Sequence, residues 1–276
     1  MRIINLIENT QGCHEECLFE HGLSFYIETA KHHILVDTGA TGAFIENAKM
    51  LGVDLNAVDT VVLSHGHYDH AGGILKFAKM NSHARIYMQK LAGAEYYRKD
   101  SMQEKYIGID AGILQFPQVE LVDGDNILDE ELFLFGKVTG RKLWPKGNLV
   151  LKEKREDAFY QDEFLHEQYL VAAENGRRVL ISGCAHNGIL NILDRYRDIY
   201  GTDPDAVVSG FHMMKRDEYT EEDLKMIKET ATELKKLDTM FYTGHCTGEI
   251  PYQILKEHMG EQLVYVHSGD EIIIPN

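Results

Sequence analysis

The stretch LSHGHYDHAGG, from Leu63 to Gly73, places three histidines and an aspartate within six residues. The apolar run TVV precedes it and predicts a buried β-strand that ends in this motif. His65 and His67 are two residues apart, so in extended chain their side chains point to the same face. Asp69 and His70 follow in a turn, and imidazole and carboxylate groups together bind zinc, iron or manganese. The motif therefore predicts a fold in which one strand end delivers metal ligands.

Composition limits the kinds of protein that this chain can be. The 276 residues, 44% apolar and 26% charged, are typical of a globular protein with a sizeable core. The net charge of −16 argues against nucleic acid as a partner, because phosphate contacts need a basic surface. No apolar run reaches the roughly 18 residues of a membrane helix, and the N-terminus shows no leader. Four cysteines are too few for a disulfide framework, so we predict a cytoplasmic protein with free thiols and no membrane partner.

The apolar pattern predicts one α/β domain over residues 1–276, built from two halves. The first half contains β-rich runs such as RIINLIE and HHILVDT, and the second alternates strands with helices. Thr220 to Leu237 predicts a helix with Thr220 as its N-cap, and QLVYVHSGDEIII predicts a closing strand pair. The pattern breaks at about 91–116, a candidate lid insertion whose Arg98 and Lys105 either cover a ring-bearing phosphate or lie on a solvated helix. The polar segment 143–164 predicts a long surface loop.

Two later stretches have the same construction as the first motif, an apolar strand followed by a turn of small residues. VLISGCAHNG carries Cys184 and His186, and FYTGHCTG carries His245. A third strand end, SGFHM, carries His212, which either meets substrate or packs under a loop. His21, in EHGLSFYIE, is a further candidate pocket residue near a sheet edge.

The first motif resembles the HxHxDH signature of the metallo-β-lactamase superfamily. The resemblance implies an αβ/βα four-layer sandwich with two divalent metal ions at the edge between two β-sheets. It implies that the ligands are His65, His67 and His186 for the first ion, and Asp69, His70 and His245 for the second. Zinc is the expected metal, with iron or manganese as alternatives.

The resemblance also implies roles for Asp37 and Cys184. Asp37, in ILVDTGA, is similar to an aspartate that supports ligand histidines from behind. Most members also place a metal-bridging aspartate at a strand end between the last two histidines, where this chain has none. Cys184 falls roughly in that slot, and it is either a metal ligand or a buried structural thiol.

The set of motifs is similar to one branch of the superfamily, the metal-dependent hydrolases related to an archaeal dihydropterin synthase of methanopterin biosynthesis. This resemblance implies a hydrolase that uses metal-activated water, oriented by Asp69, on a small phosphate-bearing molecule. A transferase that displaces pyrophosphate and a non-catalytic metal sensor are the alternatives. The partner in either enzyme is a small-molecule substrate, and the sequence carries no signal for an oligomeric state.

Overall fold

Three β-sheets organise the chain in a computed structural model that describes residues 1–101 and 103–275. In this part the strands are β1 (Arg2–Ile7), β2 (Ser24–Glu28), β3 (His33–Val36), β4 (Thr60–Val62), β5 (Arg85–Gln89), β6 (Glu95–Lys99), β7 (Glu104–Tyr106), β8 (Val119–Val122), β9 (Asn126–Ile127), β10 (Leu132–Phe135), β11 (Leu151–Arg155), β12 (Ala158–Gln161), β13 (Tyr169–Glu174), β14 (Arg177–Ile181), β15 (Ala206–Val208), β16 (Met240–Thr243), β17 (Leu263–Tyr265) and β18 (Glu271–Ile273). The α-helices there are α1 (Ala43–Met50), α2 (Tyr68–Ala71), α3 (Ile74–Met80), α4 (Ile189–Tyr200), α5 (Glu221–Leu234) and α6 (Glu249–Met259).

Two of the sheets have seven strands each. The first sheet has the order β18-β1-β2-β3-β4-β5-β8, and the second has the order β17-β16-β15-β14-β13-β10-β9. Strands β3, β4, β5 and β8 run parallel, as do β14, β15, β16 and β17. The carboxyl ends of parallel strands lie at one edge of a sheet, so each sheet collects its strand-end turns at a single edge.

Apolar residues fill three cores between four layers. Strand β4 shows the geometry: Val61 packs into the core shared with α1 and α3, whereas its neighbour Val62 packs between the two sheets. Strand β15 repeats this in the second half, where Val207 faces α4, α5 and α6 and Val208 faces the first sheet. Successive strand residues point to opposite faces, so strands buried on both faces are continuously apolar. This arrangement is the predicted αβ/βα four-layer sandwich.

The predicted helix over 220–237 is present as α5, three residues shorter at its end. The Thr220 side chain accepts a hydrogen bond from the Asp223 backbone N–H, and the Asp223 carboxylate accepts one from the Thr220 backbone N–H. This reciprocal capping satisfies two backbone donors at the helix start. No helix in the described part of the chain is both long and apolar enough to cross a bilayer.

A small third sheet, in the order β12-β11-β6-β7, differs from the sequence prediction. The segment 91–116 contributes β6 and β7, and the predicted surface loop over 143–164 instead contains β11 and β12. Strand β11 pairs with β6, and Glu153 lies opposite Tyr96, more than fifty residues earlier in the chain. A local sequence pattern does not predict a pairing over this distance. Strand β11 (LKEKR) is polar after its first residue, and β12 (AFYQ) has only four residues, so neither shows the apolar alternation that predicts a strand.

The two predicted closing strands are present as β17 and β18, but they do not pair with each other. Strand β17 runs parallel to β16 in the second sheet, whereas β18 runs antiparallel to β1 in the first sheet. The turn between them therefore crosses from one sheet to the other, next to the end of β1.

Candidate metal centre and its cavity

The predicted ligands lie just beyond the carboxyl ends of strands from both large sheets. His65 to His70 follow β4, Cys184 and His186 follow β14, and His245 follows β16. Each of the predicted ligand side chains is buried, and Asp69 is the most exposed residue of the set at 7%. The fold therefore brings together the six residues that the sequence singled out.

His65, His67 and His186 form a first cluster. The Nε2 atoms of His65 and His186 lie 3.3 Å apart, and the ring centroid of His67 lies 4.5 Å and 4.9 Å from theirs. Two nitrogen atoms that bind the same tetrahedral zinc ion, each at 2.0–2.1 Å, lie about 3.3 Å apart. The observed separation of the two Nε2 atoms therefore suits ligands of one metal ion.

Asp69, His70 and His245 form a second cluster. The Asp69 Oδ2 atom lies 3.7 Å from His70 Nε2 and 3.6 Å from His245 Nε2. Cys184 Sγ lies 3.2 Å from His70 Nε2, so the thiol belongs to the wall of this cluster. His21 Nε2 also lies 3.4 Å from Asp69 Oδ2, and the His21 ring stacks on that of His245.

The outer ring nitrogen of each of four clustered histidines is hydrogen-bonded to a neighbouring oxygen. The Nδ1 contacts are His65 to Ser64 Oγ (2.9 Å), His70 to Asp37 Oδ2 (2.6 Å), His186 to Asn148 Oδ1 (2.8 Å) and His245 to Asn9 Oδ1 (2.9 Å). An acceptor at Nδ1 holds the proton there and leaves the Nε2 lone pair facing inward. This is the tautomer that a metal ion requires of its imidazole ligands.

Two observations show that the donor set fits divalent cations. The Nε2 atoms of His67 and His245 are buried and have no hydrogen-bond partner among the described residues. Burial also lowers the pKa of four clustered histidines well below the usual value, with neighbouring histidines adding to the effect; these are His65, His67, His186 and His245. Neutral, buried and unpartnered imidazoles are costly unless a ligand compensates them, and a cation does so.

His70 differs from the other histidines of the centre. Burial is the largest influence on its pKa and lowers it, but Asp37 and Asp69 outweigh burial and raise the pKa to about 9. The same Asp37 carboxylate accepts hydrogen bonds from the backbone N–H and the hydroxyl of Ser64. Asp37 thus hydrogen-bonds to both ends of the HxHxDH turn, at Ser64 and at His70.

Two buried glutamates that the sequence analysis missed hold the other ligand turns. Glu167 accepts hydrogen bonds from the backbone N–H groups of His186 and Asn187, at 2.7 Å and 2.9 Å. Glu8 accepts one from the backbone N–H of His245 at 3.0 Å. Burial raises the pKa of both carboxyls. Glu8 directly follows the apolar strand in RIINLIE, whereas Glu167 precedes strand β13, and neither position by itself marks the residue as the support of a ligand turn.

The turns that carry these residues are strained in the same way. Four non-glycine residues at the centre have left-handed backbone angles: Asp37 (φ 61°), Ala185 (55°), His212 (50°) and His245 (50°). Such angles cost free energy that surrounding contacts must offset, and they are concentrated at functional sites.

No carboxylate occupies the strand end between the last two histidines. Strand β15 is followed by Ser209 and Gly210, and a Cβ atom on Gly210 would lie 2.5 Å from Cys246 Sγ. A larger side chain therefore has no room there. Cys184 was expected in roughly this slot, but it follows β14 instead and approaches the centre from the neighbouring strand.

His166 and His212 complete the set of histidines around the centre. His166 Nδ1 accepts from the backbone N–H of Gly66 at 2.9 Å, and its Nε2 donates to Asp162 at 3.1 Å, so both nitrogens are used. The His212 ring lies 4.1 Å from that of His186, and its buried Nδ1 has no partner among the described residues. Sequence analysis did not single out His166, since it precedes a strand rather than following one.

The centre opens into a cavity of about 920 Å³. His21, His67, Asp69 and His212 lie on its walls, as do Cys184 and His186. Five cationic side chains also line it: Arg98, Lys105, Lys146, Lys215 and Arg216. The Lys105 ammonium lies 4.9 Å from the centroid of the Tyr68 ring. The carboxylates of Asp217, Glu222 and Asp223 line the same cavity. Five Lys and Arg side chains around one cavity, in a chain of net charge −16, still favour an anionic ligand.

Comparison with known proteins agrees with this geometry. Residues 18–148 match the family model of the metallo-beta-lactamase superfamily. The chain is 28% identical to the 7,8-dihydropterin-6-methyl-4-(beta-D-ribofuranosyl)-aminobenzene-5'-phosphate synthase of Methanocaldococcus jannaschii, over 98% of this chain and 95% of the synthase.

Solved structures extend the comparison to the whole fold. A metal-dependent hydrolase of the beta-lactamase superfamily superposes with a TM-score of 0.84 at 29% identity, covering 100% of both chains. The zinc-bound PqqB of Methylobacterium extorquens has a TM-score of 0.58 at 10% identity, over 99% of this chain and all of PqqB, a likeness of fold alone. Residues 18–148 thus carry a metallo-beta-lactamase domain, and the fold of the whole chain is similar to that of a metal-dependent hydrolase of the same superfamily.

Proposed function

We propose that this chain is a metal-dependent hydrolase that binds two divalent metal ions and acts on a small phosphate-bearing substrate. The observation that carries this proposal is a buried set of unpartnered imidazoles beside a carboxylate, at the base of a cavity lined by cationic side chains. Zinc is the metal we expect, because imidazole and carboxylate ligands suit it, and iron or manganese are alternatives.

The two clusters divide the ligands between the two ions. His65, His67 and His186 would hold the first ion. Asp69, His70 and His245 would hold the second. Bound ions of this kind activate water and stabilise negative charge that develops on oxygen atoms. The remaining chemistry belongs to the side chains of the cavity.

Asp69 is the residue we assign to proton handling. Its carboxylate belongs to the second cluster and also lines the cavity, so it can orient a water molecule and accept its proton. His21 lies 3.4 Å from the same carboxylate oxygen and stands at the cavity wall. We propose that His21 and His212 contact the substrate from opposite sides of the centre.

The cationic wall supports a phosphate-bearing substrate. Lys105 and Arg98 come from the small sheet, whereas Lys215 and Arg216 come from the segment after β15. Lys146 and Lys215 are ion-paired with Glu222 and Asp223, so their charges are already partly compensated. Lys105 lies over an aromatic ring instead, which leaves its ammonium group available to a phosphate.

A synthase-like transferase is the second candidate, favoured by the similarity to the M. jannaschii synthase along nearly the whole chain. Displacement of pyrophosphate would use the same electrostatic stabilisation of the leaving group as hydrolysis. The two reactions differ in whether the cavity admits water or an amine or carbon nucleophile.

Metal analysis and product release test these proposals together. We expect the purified protein to hold two metal ions and to release phosphate or pyrophosphate from a panel of phosphate esters and diphosphates. Release that needs an aminobenzene acceptor would identify the transferase. H65A should abolish turnover and leave the fold intact, while H83A, at an exposed histidine away from the centre, should retain activity.

Two results would contradict the catalytic proposal. One is a protein that regains less than one ion per chain with zinc, iron or manganese. The other is full turnover in H65A. A protein that holds two ions and turns over no compound of the panel would favour the metal sensor.

A further inference from the structure

Cys184 occupies the space between the two ligand clusters. Its Sγ atom lies within 4.8 Å of the ligand nitrogens of His65 and His186 on one side. It lies within the same distance of those of His70 and His245 on the other side. Of the described side chains, Cys184 is shared by both of these groups, and the shortest contact, to His70 Nε2, is 3.2 Å.

We propose that the Cys184 thiolate is a ligand common to both metal ions, in place of the missing carboxylate bridge. This inference rests on the metal centre of the proposed function and deepens it. A thiolate bound to zinc at about 2.3 Å lies about 3.5 Å from a nitrogen bound tetrahedrally to the same ion at about 2.0–2.1 Å. Cys184 Sγ lies 3.2 Å from His70 Nε2, close enough for the two atoms to share an ion.

Burial and an unpartnered neighbour support the assignment independently. Cys184 is 3% exposed, and a charged thiolate buried at this place needs a cation beside it. His245 Nε2, in a side chain that is 1% exposed, has no hydrogen-bond partner among the residues that the structure describes, and it belongs to the same group as Cys184 Sγ.

The second buried thiol explains why the bridge comes from β14. Cys246 Sγ fills the space beside Gly210, so a carboxylate cannot enter from the end of β15. Cys246 is itself grouped with Cys184 and His212, and not with the histidines of either cluster. It is therefore a matched control: a buried thiol next to the centre that would not bridge the ions.

A sulfur ligand also changes the metal preference that we expect. Thiolate is a softer ligand than carboxylate and favours zinc, cobalt or iron over manganese or magnesium. The metal-free protein should therefore take up Zn²⁺ or Co²⁺ in preference to Mn²⁺ offered at the same concentration.

Cobalt titration of the metal-free whole protein tests the bridge. Sulfur bound to Co²⁺ gives a near-ultraviolet charge-transfer band, which should grow over two equivalents because both ions share the sulfur. C184S should lose the band and bind the second ion at least about tenfold more weakly. C246S should keep the band and both ions.

X-ray absorption at the zinc edge of the wild-type protein tests the same point without a variant. We expect a sulfur shell at about 2.3 Å beside the nitrogen shell. Two bound ions with no sulfur shell would overturn the inference and leave the proposed function standing. A band that saturates at one equivalent, or that disappears in C246S but not in C184S, would also overturn it. A protein that binds no metal would remove the proposed function itself.

Discussion

Glu167 and Glu8 give the sharpest prediction, because each carboxylate supports one ligand turn. Glu167 Oε1 accepts from the His186 backbone N–H at 2.7 Å, while Oε2 accepts from Asn187 and from the Tyr169 hydroxyl. The glutamine of E167Q has one side-chain oxygen, which would continue to accept hydrogen bonds from Asn187 and Tyr169. Its NH₂ group would then face the backbone N–H of His186, so that two donors meet without an acceptor.

The structure sets the size of the effect. One buried N–H without an acceptor costs about 1–3 kcal/mol. The loss of the buried charge in E167Q offsets part of this cost in unfolding free energy, because burial disfavours the ionised form of Glu167 and raises its pKa. The larger change should be in metal affinity, because loss of a group that orients a ligand typically weakens binding about 10–100-fold.

The E8Q variant tests the ligand turn of the second cluster in the same way. Glu8 Oε1 accepts from the Thr10 backbone N–H and hydroxyl, and Oε2 accepts from the His245 N–H at 3.0 Å. The amide of E8Q should therefore loosen the turn of the second cluster, as E167Q loosens that of the first. The exposed control is E257Q on α6, which should change neither cluster.

Stepwise removal of metal by a chelator, with urea unfolding of the metal-free protein, measures both effects. H186A and H245A each lack one ligand and identify which binding step belongs to which cluster. We expect E167Q to weaken the step that H186A weakens, and E8Q to weaken the step that H245A weakens. Both steps unchanged within a factor of two, or both variants weakening the same step, would refute the reasoning.

Three further predictions follow from single sites. Because the folded pKa of His70 is raised to about 9, above 6.5 in the unfolded chain, its stabilising effect is complete below pH 6.5 and is lost through pH 9. The melting temperature of the metal-free protein should therefore fall over that range. Metal binding near pH 7.5 should release about two protons, one from His70 and one from the Cys184 thiol, measurable by calorimetry in two buffers. G72A should destabilise the fold by about 1–3 kcal/mol in urea unfolding, because its Cβ would lie 2.0 Å from the Ala40 carbonyl oxygen; an unchanged midpoint would contradict this contact. K105A should raise KM for a phosphate-bearing substrate about tenfold with little change in kcat, while exposed K79A changes neither; an unaffected KM would remove Lys105 from the binding site.

Much of the centre was predictable from local sequence. The spacing of His65, His67 and His70 after an apolar strand predicts a metal site from a short stretch of chain, because strand geometry determines where the side chains point. The turns with His186 and His245 were found by the same pattern of an apolar strand followed by small residues. Asp37 was found in this way as well, at the end of β3.

The remaining parts of the site depend on partners distant in sequence. Glu8 lies more than two hundred residues from His245, and no local pattern marks a strand-end glutamate as its support. Strands β11 and β12 have no apolar alternation, so only the pairing of β11 with β6 and of β12 with β11 identifies them as strands. The final two strands separate because each finds its neighbour in a different sheet.

The sequence, with the family resemblance of its motifs, predicted which residues bind metal and that they follow strands in a layered α/β fold. This information is local, because ligand chemistry and residue period act over a few positions. Only the tertiary structure decided that Cys184 lies between both clusters, that Cys246 fills the place of a carboxylate, and which buried acids hold the turns. These facts depend on packing between two sheets, where a side chain is positioned by neighbours that the sequence does not place beside it.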